Sequence, residues 1–189
     1  MPSPTPAEVL QASLLQHFRY HGDVYVGAQV PVVIDEDVTL TPLLVVAIGT
    51  IPDERERWSI PDEGTPELVI IDVAQAGDKP HYEKVGVREL FIVDMTKQSV
   101  KGYWLSPGGL VDTTPEESGR VGSDELRLEL GFKVVDDVPT LRFFQRNGTL
   151  LETPEETETA RRNRINKLIA THTDELEEQI ADHEATIKR

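Results

Sequence analysis

Cysteine is absent from the 189 residues, which excludes disulfide bonds, thiol catalysis and zinc sites built on cysteine. No apolar run approaches the roughly 18 residues of a membrane-spanning helix. The first residues also lack the basic segment and apolar stretch of a secretory signal. We therefore expect a soluble, cytoplasmic protein with no membrane partner.

Basic residues are scarce as well. Lysine and arginine total 19 against 34 aspartates and glutamates, for a formal charge of -15. A surface of this sign repels phosphate backbones, which argues against a protein that binds DNA or RNA through bulk electrostatics. A nuclease that approaches DNA through bound divalent cations remains compatible with this charge.

The composition changes near residue 150. Aromatic residues end at Phe144 and proline ends at Pro154. We therefore predict two parts, an α/β domain over residues 1–150 and a helical tail over residues 151–189.

Within the first part, three continuous apolar segments predict strands that are covered on both faces. They are Leu43–Ile48, Leu68–Ile71 and Leu90–Val93. A first helix is predicted over Pro6–His17 behind an N-cap at Thr5, and a short helix near 79–85. The predicted fold class is α/β, with a mixed, twisted central sheet flanked by helices.

Both tryptophans fall in this domain. Trp58 lies in the charged loop 52–66, where it either forms an exposed contact or, as we expect, folds back over a sheet edge. Trp104 alternates with Tyr103 in a predicted strand, and we expect it to lie in the core.

The tail carries a helix from about Thr153 to Ile187. Thr153 and Glu156 form a capping-box pattern at its start. One narrow stripe, typical of a coiled-coil seam, follows at a mean spacing near the eleven-residue repeat; it consists of Ile165, Ile169, His172, Leu176, Ile180, His183 and Ile187. We predict a homodimer or a protein partner bound through this stripe, with packing against the chain's own domain as the alternative.

Three segments together resemble a known family. They are Pro42–Gly49, the segment TPELVIIDV at 65–73, and Tyr82–Asp94, which reads Y-x-x-x-G-V-x-E-x-x-x-V-D. In these segments the chain resembles the Uma-two family of restriction endonucleases, in the PD-(D/E)XK nuclease superfamily. The resemblance extends from about residue 18 to 165 and implies a restriction-endonuclease-like core.

The resemblance also implies two carboxylates at neighbouring strand ends, holding the Mg²⁺ that activates water for attack on a phosphodiester. This sequence departs from that pattern at both positions. Leu43 follows Pro42 where an aspartate is expected, and Ile71 stands where a glutamate is expected. The stretch from 73 to 81 is also shorter than in the family. We therefore predict a degenerate, non-catalytic member, or pseudoenzyme, that binds no cofactor and acts as a binding or assembly module.

An active Mg²⁺-dependent DNA endonuclease with a rearranged site is the alternative. Its candidate catalytic residues are Asp72, Glu67 and Lys79, with Asp72 as the metal ligand. A shift of one residue along a strand turns a side chain to the opposite face, so Asp72 replaces the glutamate only if a β-bulge intervenes. Otherwise Asp72 is a solvent-exposed acid or caps the following turn, and Glu67 is a surface residue.

Overall fold

A computed structural model of the protein describes residues 4–113, 118–135 and 137–187, with the side chains of 178, 181, 182 and 184–187 left out. The helices are α1 (Pro6–His17), α2 (Ile60–Glu63), α3 (Lys79–Val85) and α4 (Pro154–Ile187), and a 3-10 helix spans Val73–Asp78. The predicted starts of α1 and α4 are confirmed. Thr5 and Glu8 form a capping box at the first, and Thr153 and Glu156 exchange the same bonds at the second.

The strands are between two and eight residues long. They are β1 (Val24–Ala28), β2 (Val32–Val33), β3 (Thr39–Leu40), β4 (Leu44–Ile48), β5 (Trp58–Ser59), β6 (Leu68–Asp72), β7 (Glu89–Asp94), β8 (Ser99–Ser106), β9 (Gly109–Thr113), β10 (Val121–Ser123), β11 (Leu128–Val135) and β12 (Val138–Gln145).

Six of these strands form the central sheet in the order β1-β4-β6-β7-β8-β9. The pair β6–β7 is parallel, while every other neighbouring pair in this sheet is antiparallel. The 3-10 helix and α3 connect the two parallel strands, as such a pair requires a crossover connection. The predicted α/β class with a mixed sheet is therefore confirmed.

Side chains alternate between the two faces of this sheet. On the first face, Leu44, Ile70 and Phe91 join a core cluster with Leu10 of α1 and residues of the three-stranded sheet β10-β11-β12. On the second face, residues such as Val45 and Ile71 join a cluster that contains Trp58 and Tyr82. The sheet is thus buried on both faces, as the apolar runs predict, but a second sheet helps α1 to cover the first face.

The two tryptophans have different environments. Trp58 is only 1% exposed, and its indole N–H donates to the carbonyl of Gly64 at 2.9 Å, which confirms that it folds back onto the domain. The prediction for Trp104 is wrong, because its side chain is 50% exposed. Trp104 pairs with Val111 of β9, the last strand of the sheet, and the core cluster on its face includes Val100 but not Trp104.

The contacts divide the chain into residues 1–151 and 152–189. The second unit is α4, on which five large apolar side chains are exposed; they are Ile165, Leu168, Ile169, Leu176 and Ile180. Ile187 ends the helix, and its side chain lies outside the described residues. Among the described residues, no helix has the combination of length and apolar character that crossing a bilayer requires.

Candidate functional site

The two positions where the resemblance implies metal ligands are apolar and point into different clusters. Leu43 immediately precedes β4 and packs, partly buried, against the first cluster. Ile71, in β6, is fully buried in the second cluster. Neither side chain carries an atom that binds a metal, and the two pack against different core clusters.

Asp72 ends β6 and begins the 3-10 helix. Its carboxylate accepts a hydrogen bond from the N–H of Ala74 at 2.8 Å, and its own N–H donates to the side-chain carbonyl of Gln75. The pairing of β6 with β7 continues without a break from Leu68 to Asp72. No bulge therefore turns Asp72 toward the face of Ile71, and its carboxylate serves as the N-cap of the following helix.

Glu67 lies at the other end of the same strand. Its carboxylate accepts a hydrogen bond from the N–H of Ile48 at 2.7 Å, at the end of β4. Five residue steps separate Glu67 from Asp72, which at about 3.3 Å per step in a strand is about 16 Å. Two ligands of one Mg²⁺ each lie about 2.1 Å from the ion, so the two carboxylates do not converge on a common cation.

Lys79 is the first residue of α3 and faces an aromatic ring. Its ammonium nitrogen lies 3.9 Å from the centroid of Tyr103 in β8, within the range of a cation–π interaction. Burial, followed by the nearby charge of Asp112, raises the pKa of the Tyr103 hydroxyl. The structure therefore gives Lys79 a contact that ties the start of α3 to the sheet. Across the described residues, no group of three histidines, aspartates and glutamates is placed to hold a metal ion.

The segment Tyr82–Asp94, one of the three that carry the resemblance, begins with residues that have clear structural roles. Tyr82 is fully buried in the second cluster. Gly86 ends α3 with φ +83°, a left-handed conformation that glycine adopts without strain. Val87 is buried beside it, and its N–H donates to the carbonyl of Tyr82 at 3.1 Å. These residues terminate the helix and seat it on the sheet.

Glu89, the glutamate of that pattern, is a buried carboxylate that is not among the predicted site residues. Its side chain, 5% exposed, accepts hydrogen bonds from the hydroxyl of Ser123 and from the N–H groups of Asp124 and Glu125, at 2.7 and 3.1 Å. Burial raises the pKa of Glu89, while these hydrogen bonds oppose the rise. The sequence does contain a signal for this burial. Glu89 directly precedes the apolar run Leu90–Val93, and a side chain next to a buried run is expected to be buried as well.

The loop between β4 and β6 is folded against the domain through one arginine. The Arg55 guanidinium lies 4.5 Å from the ring centroid of Tyr25 and 5.2 Å from that of Trp58, and it forms an ion pair with Glu63. Beside it lies an open cavity of about 400 Å³ that α1, β1 and residues 52–55 line. Because Arg55 also donates to the carbonyls of Ile51 and Asp53, its hydrogen-bonding groups serve the loop itself.

Two histidines have the i, i+4 spacing that often holds a metal on a helix. They are His17 and His21. However, α1 ends at His17 and Phe18 is its C-cap, so His21 is outside the helix. Burial, followed by the charge of His21, lowers the pKa of His17. Both rings pack edge-on against Phe18, with centroid distances of 4.7 and 5.7 Å.

No protein-family model matches the chain, and no curated protein matches it. Among the solved structures that the chain is similar to is one described as that of a "putative nuclease belonging to DUF820" from Anabaena variabilis ATCC 29413. The two are 16% identical with a TM-score of 0.48, and the match covers 69% of this chain and 80% of the other. Membership of the Uma-two family stays a prediction.

Proposed function

We propose that this protein is a non-catalytic, nuclease-like protein that acts as a binding or assembly module. The observation that carries the proposal is the pair of expected ligand positions. Leu43 and Ile71 offer no oxygen to a metal, and Ile71 is fully buried. The Mg²⁺ that the resemblance implies is typically held by one or two carboxylates, with coordination positions left open for water and phosphate.

The replacement residues support the same conclusion. Asp72 already accepts a hydrogen bond within its own helix cap, Glu67 is bonded at the far end of the strand, and Lys79 is held over Tyr103. A catalytic set must bring its groups to within a few ångströms of one reacting phosphate. Three residues with separate structural roles do not meet that requirement.

The charge of the chain supports a non-catalytic role as well. With a formal charge of -15, the protein repels DNA unless bound cations neutralise part of its surface. Without the expected metal ligands, that route to DNA is lost. The tail helix, with its exposed apolar side chains, is the surface through which we propose that the protein binds a partner.

The test is incubation of the full chain with supercoiled plasmid and Mg²⁺ or Mn²⁺. We expect the plasmid to remain supercoiled over hours, at the level of a protein-free control. The matched variant is Asp72→Asn, because asparagine caps a helix about as well as aspartate but lacks the negative charge of a metal ligand. Metal-dependent nicking that disappears in Asp72→Asn, with the fold intact by circular dichroism, would establish the endonuclease alternative.

A further inference from the structure

The tail helix exposes an apolar stripe along much of its length. At 1.5 Å per residue, the 34 residues of α4 extend over about 51 Å. The exposed fractions are 45% for Ile165, 60% for Ile169, 50% for Leu176 and 59% for Ile180. Large apolar residues at this spacing share one side of a helix. A long helix with so few apolar residues is marginal in water unless that side is covered.

The four apolar residues just named have the same spacing when the chain is followed in either direction, namely 4, 7 and 4 residues. Ile165 and Ile180 lie equally far from the midpoint between His172 and Thr173, and so do Ile169 and Leu176. A second copy of the helix, running in the opposite direction and centred on that midpoint, therefore places Ile165 beside Ile180 and Ile169 beside Leu176. Each contact occurs twice, as the twofold symmetry of a homodimer requires.

The charges on the helix select this direction. After the acids of its first turns (Glu155, Glu156 and Glu158), the helix has a basic segment over residues 161–167, which carries four bases and no acid; they are Arg161, Arg162, Arg164 and Lys167. The second half carries Asp174, Glu175 and Glu177, and the sequence continues with acids at 178, 182 and 184. In a parallel, in-register pair, bases face bases and acids face acids. In an antiparallel pair centred on that midpoint, the basic segment 161–167 of each helix lies along residues 178–184 of the other, where the sequence is acidic, and this favours association.

We propose that α4 binds α4 of a second copy of this chain as an antiparallel pair centred between His172 and Thr173. The proposal rests on the assembly role proposed above and names its partner. The apolar residues and the charges both fit this alignment. Burial of the apolar residues favours association, and the opposite charges favour the antiparallel over the parallel orientation. The surface buried is that of the four apolar residues from each helix, with His172 at the centre.

Single cysteines test the alignment directly, because the chain contains none and every introduced thiol is unique. We expect His172→Cys, at the centre, to form a disulfide-linked dimer under mild oxidation of the full chain. Ile165→Cys alone and Ile180→Cys alone should remain unlinked, since the two copies of either residue lie about 22 Å apart along the axis. A disulfide requires Cα atoms within about 7 Å. A mixture of these two variants should form the linked heterodimer.

The opposite pattern would overturn the proposal. If Ile165→Cys and Ile180→Cys each link to themselves, the helices are parallel and the proposed alignment is wrong. If none of the variants links, and the unmodified full chain is a monomer by light scattering, no second copy is bound. A monomer overturns this pairing whatever the plasmid assay shows, and plasmid nicking overturns the non-catalytic role whatever the disulfides show.

A charge placed in the stripe provides the second measurement. We expect Ile169→Asp to shift the full chain from dimer to monomer in light scattering, because it places a carboxylate in the apolar contact twice. The matched control is Ala170→Asp, which adds the same charge one residue further, away from the stripe, and should leave the dimer intact. Equal masses for the two variants would contradict the proposed surface.

Discussion

Two neighbouring regions use their acidic residues in different ways. In the first, from Tyr82 to Glu89, the side chains of both these residues are buried. Glu89 accepts hydrogen bonds from the last residue of β10 and from two N–H groups of the turn that follows. In the second, at the carboxyl end of β6, Ile71 is buried and the half-exposed Asp72 caps a helix. The segment with the more recognisable sequence is therefore the one that holds the fold together, whereas the expected catalytic end is apolar or serves as a cap.

The comparison shows that a distinctive motif is not by itself a sign of chemistry. Each characteristic residue from Tyr82 to Glu89 has a packing, helix-ending or hydrogen-bonding role in this structure. In the region where the resemblance implies a metal site, both ligand positions hold apolar side chains, Leu43 and Ile71. Substitutions in the two regions should therefore change stability by different amounts.

The largest effect is expected for Glu89→Ala. This change removes the acceptor of the Ser123 hydroxyl and of two backbone N–H groups, and leaving buried donors unpaired costs about 1–3 kcal/mol each. We expect a loss of about 3 kcal/mol in the free energy of unfolding, measured by urea denaturation. Ser123→Ala leaves the carboxylate bonded to the backbone, but it removes one donor and also the acceptor of the Leu126 N–H, at 3.0 Å, so it should cost about 1–2 kcal/mol. A loss below 1 kcal/mol for Glu89→Ala would show that the buried carboxylate is not what holds the turn.

A smaller loss is expected for Asp72→Ala. Removing an N-cap side chain costs about 1 kcal/mol, and only the short 3-10 helix depends on this one. Asp72→Asn should stay within a few tenths of a kcal/mol of the unmodified protein, because asparagine also accepts the cap bond. If Asp72→Asn were as destabilising as Asp72→Ala, the negative charge and not the cap would be the stabilising feature.

The third prediction concerns pH. Burial raises the pKa of Glu89 in the folded protein above 4.5, the ordinary value that it has in the unfolded chain. Between the unfolded-state pKa and the raised folded-state pKa, the folded protein therefore binds more protons than the unfolded chain. The contribution of Glu89 to the free energy of unfolding should therefore fall as the pH rises through this window, and level off above it. Glu89→Gln does not ionise, so subtracting its stability curve from that of the unmodified protein isolates this fall. A difference that is constant from pH 4 to 8 would contradict the raised pKa.

The smallest effect is expected for Tyr82→Phe. The Tyr82 hydroxyl is buried and has no hydrogen-bond partner among the described residues, and burial raises its pKa. Removing an unpaired polar group is neutral or stabilising, so the free energy of unfolding should stay the same or rise by up to about 1 kcal/mol. The control is Thr65→Val, which removes a hydroxyl that donates to the carbonyl of Val85 at 2.7 Å and should cost about 1 kcal/mol. A loss of that size in Tyr82→Phe would imply a hydrogen-bond partner.

The sequence by itself determined the features that depend only on residues close together in the chain. The cap at Thr5, the helix from Lys79 to Val85 and the start of the tail helix follow from side chains within one turn of the helix. The central strands follow from continuous apolar runs. The absence of ligand atoms at Leu43 and Ile71 can also be read from the sequence, because it depends only on which residues are present.

Only the tertiary structure decided which strands pair and what covers them. The exposure of Trp104 and the burial of Glu89 depend on where the sheet ends and where the turn after β10 packs, which are contacts between residues distant in the chain. Local alternation predicts which side of a strand a residue occupies, but not whether another element covers that side. For the same reason Lys79 could be predicted at the start of a helix, while its position over Tyr103, 24 residues further along the chain, could not.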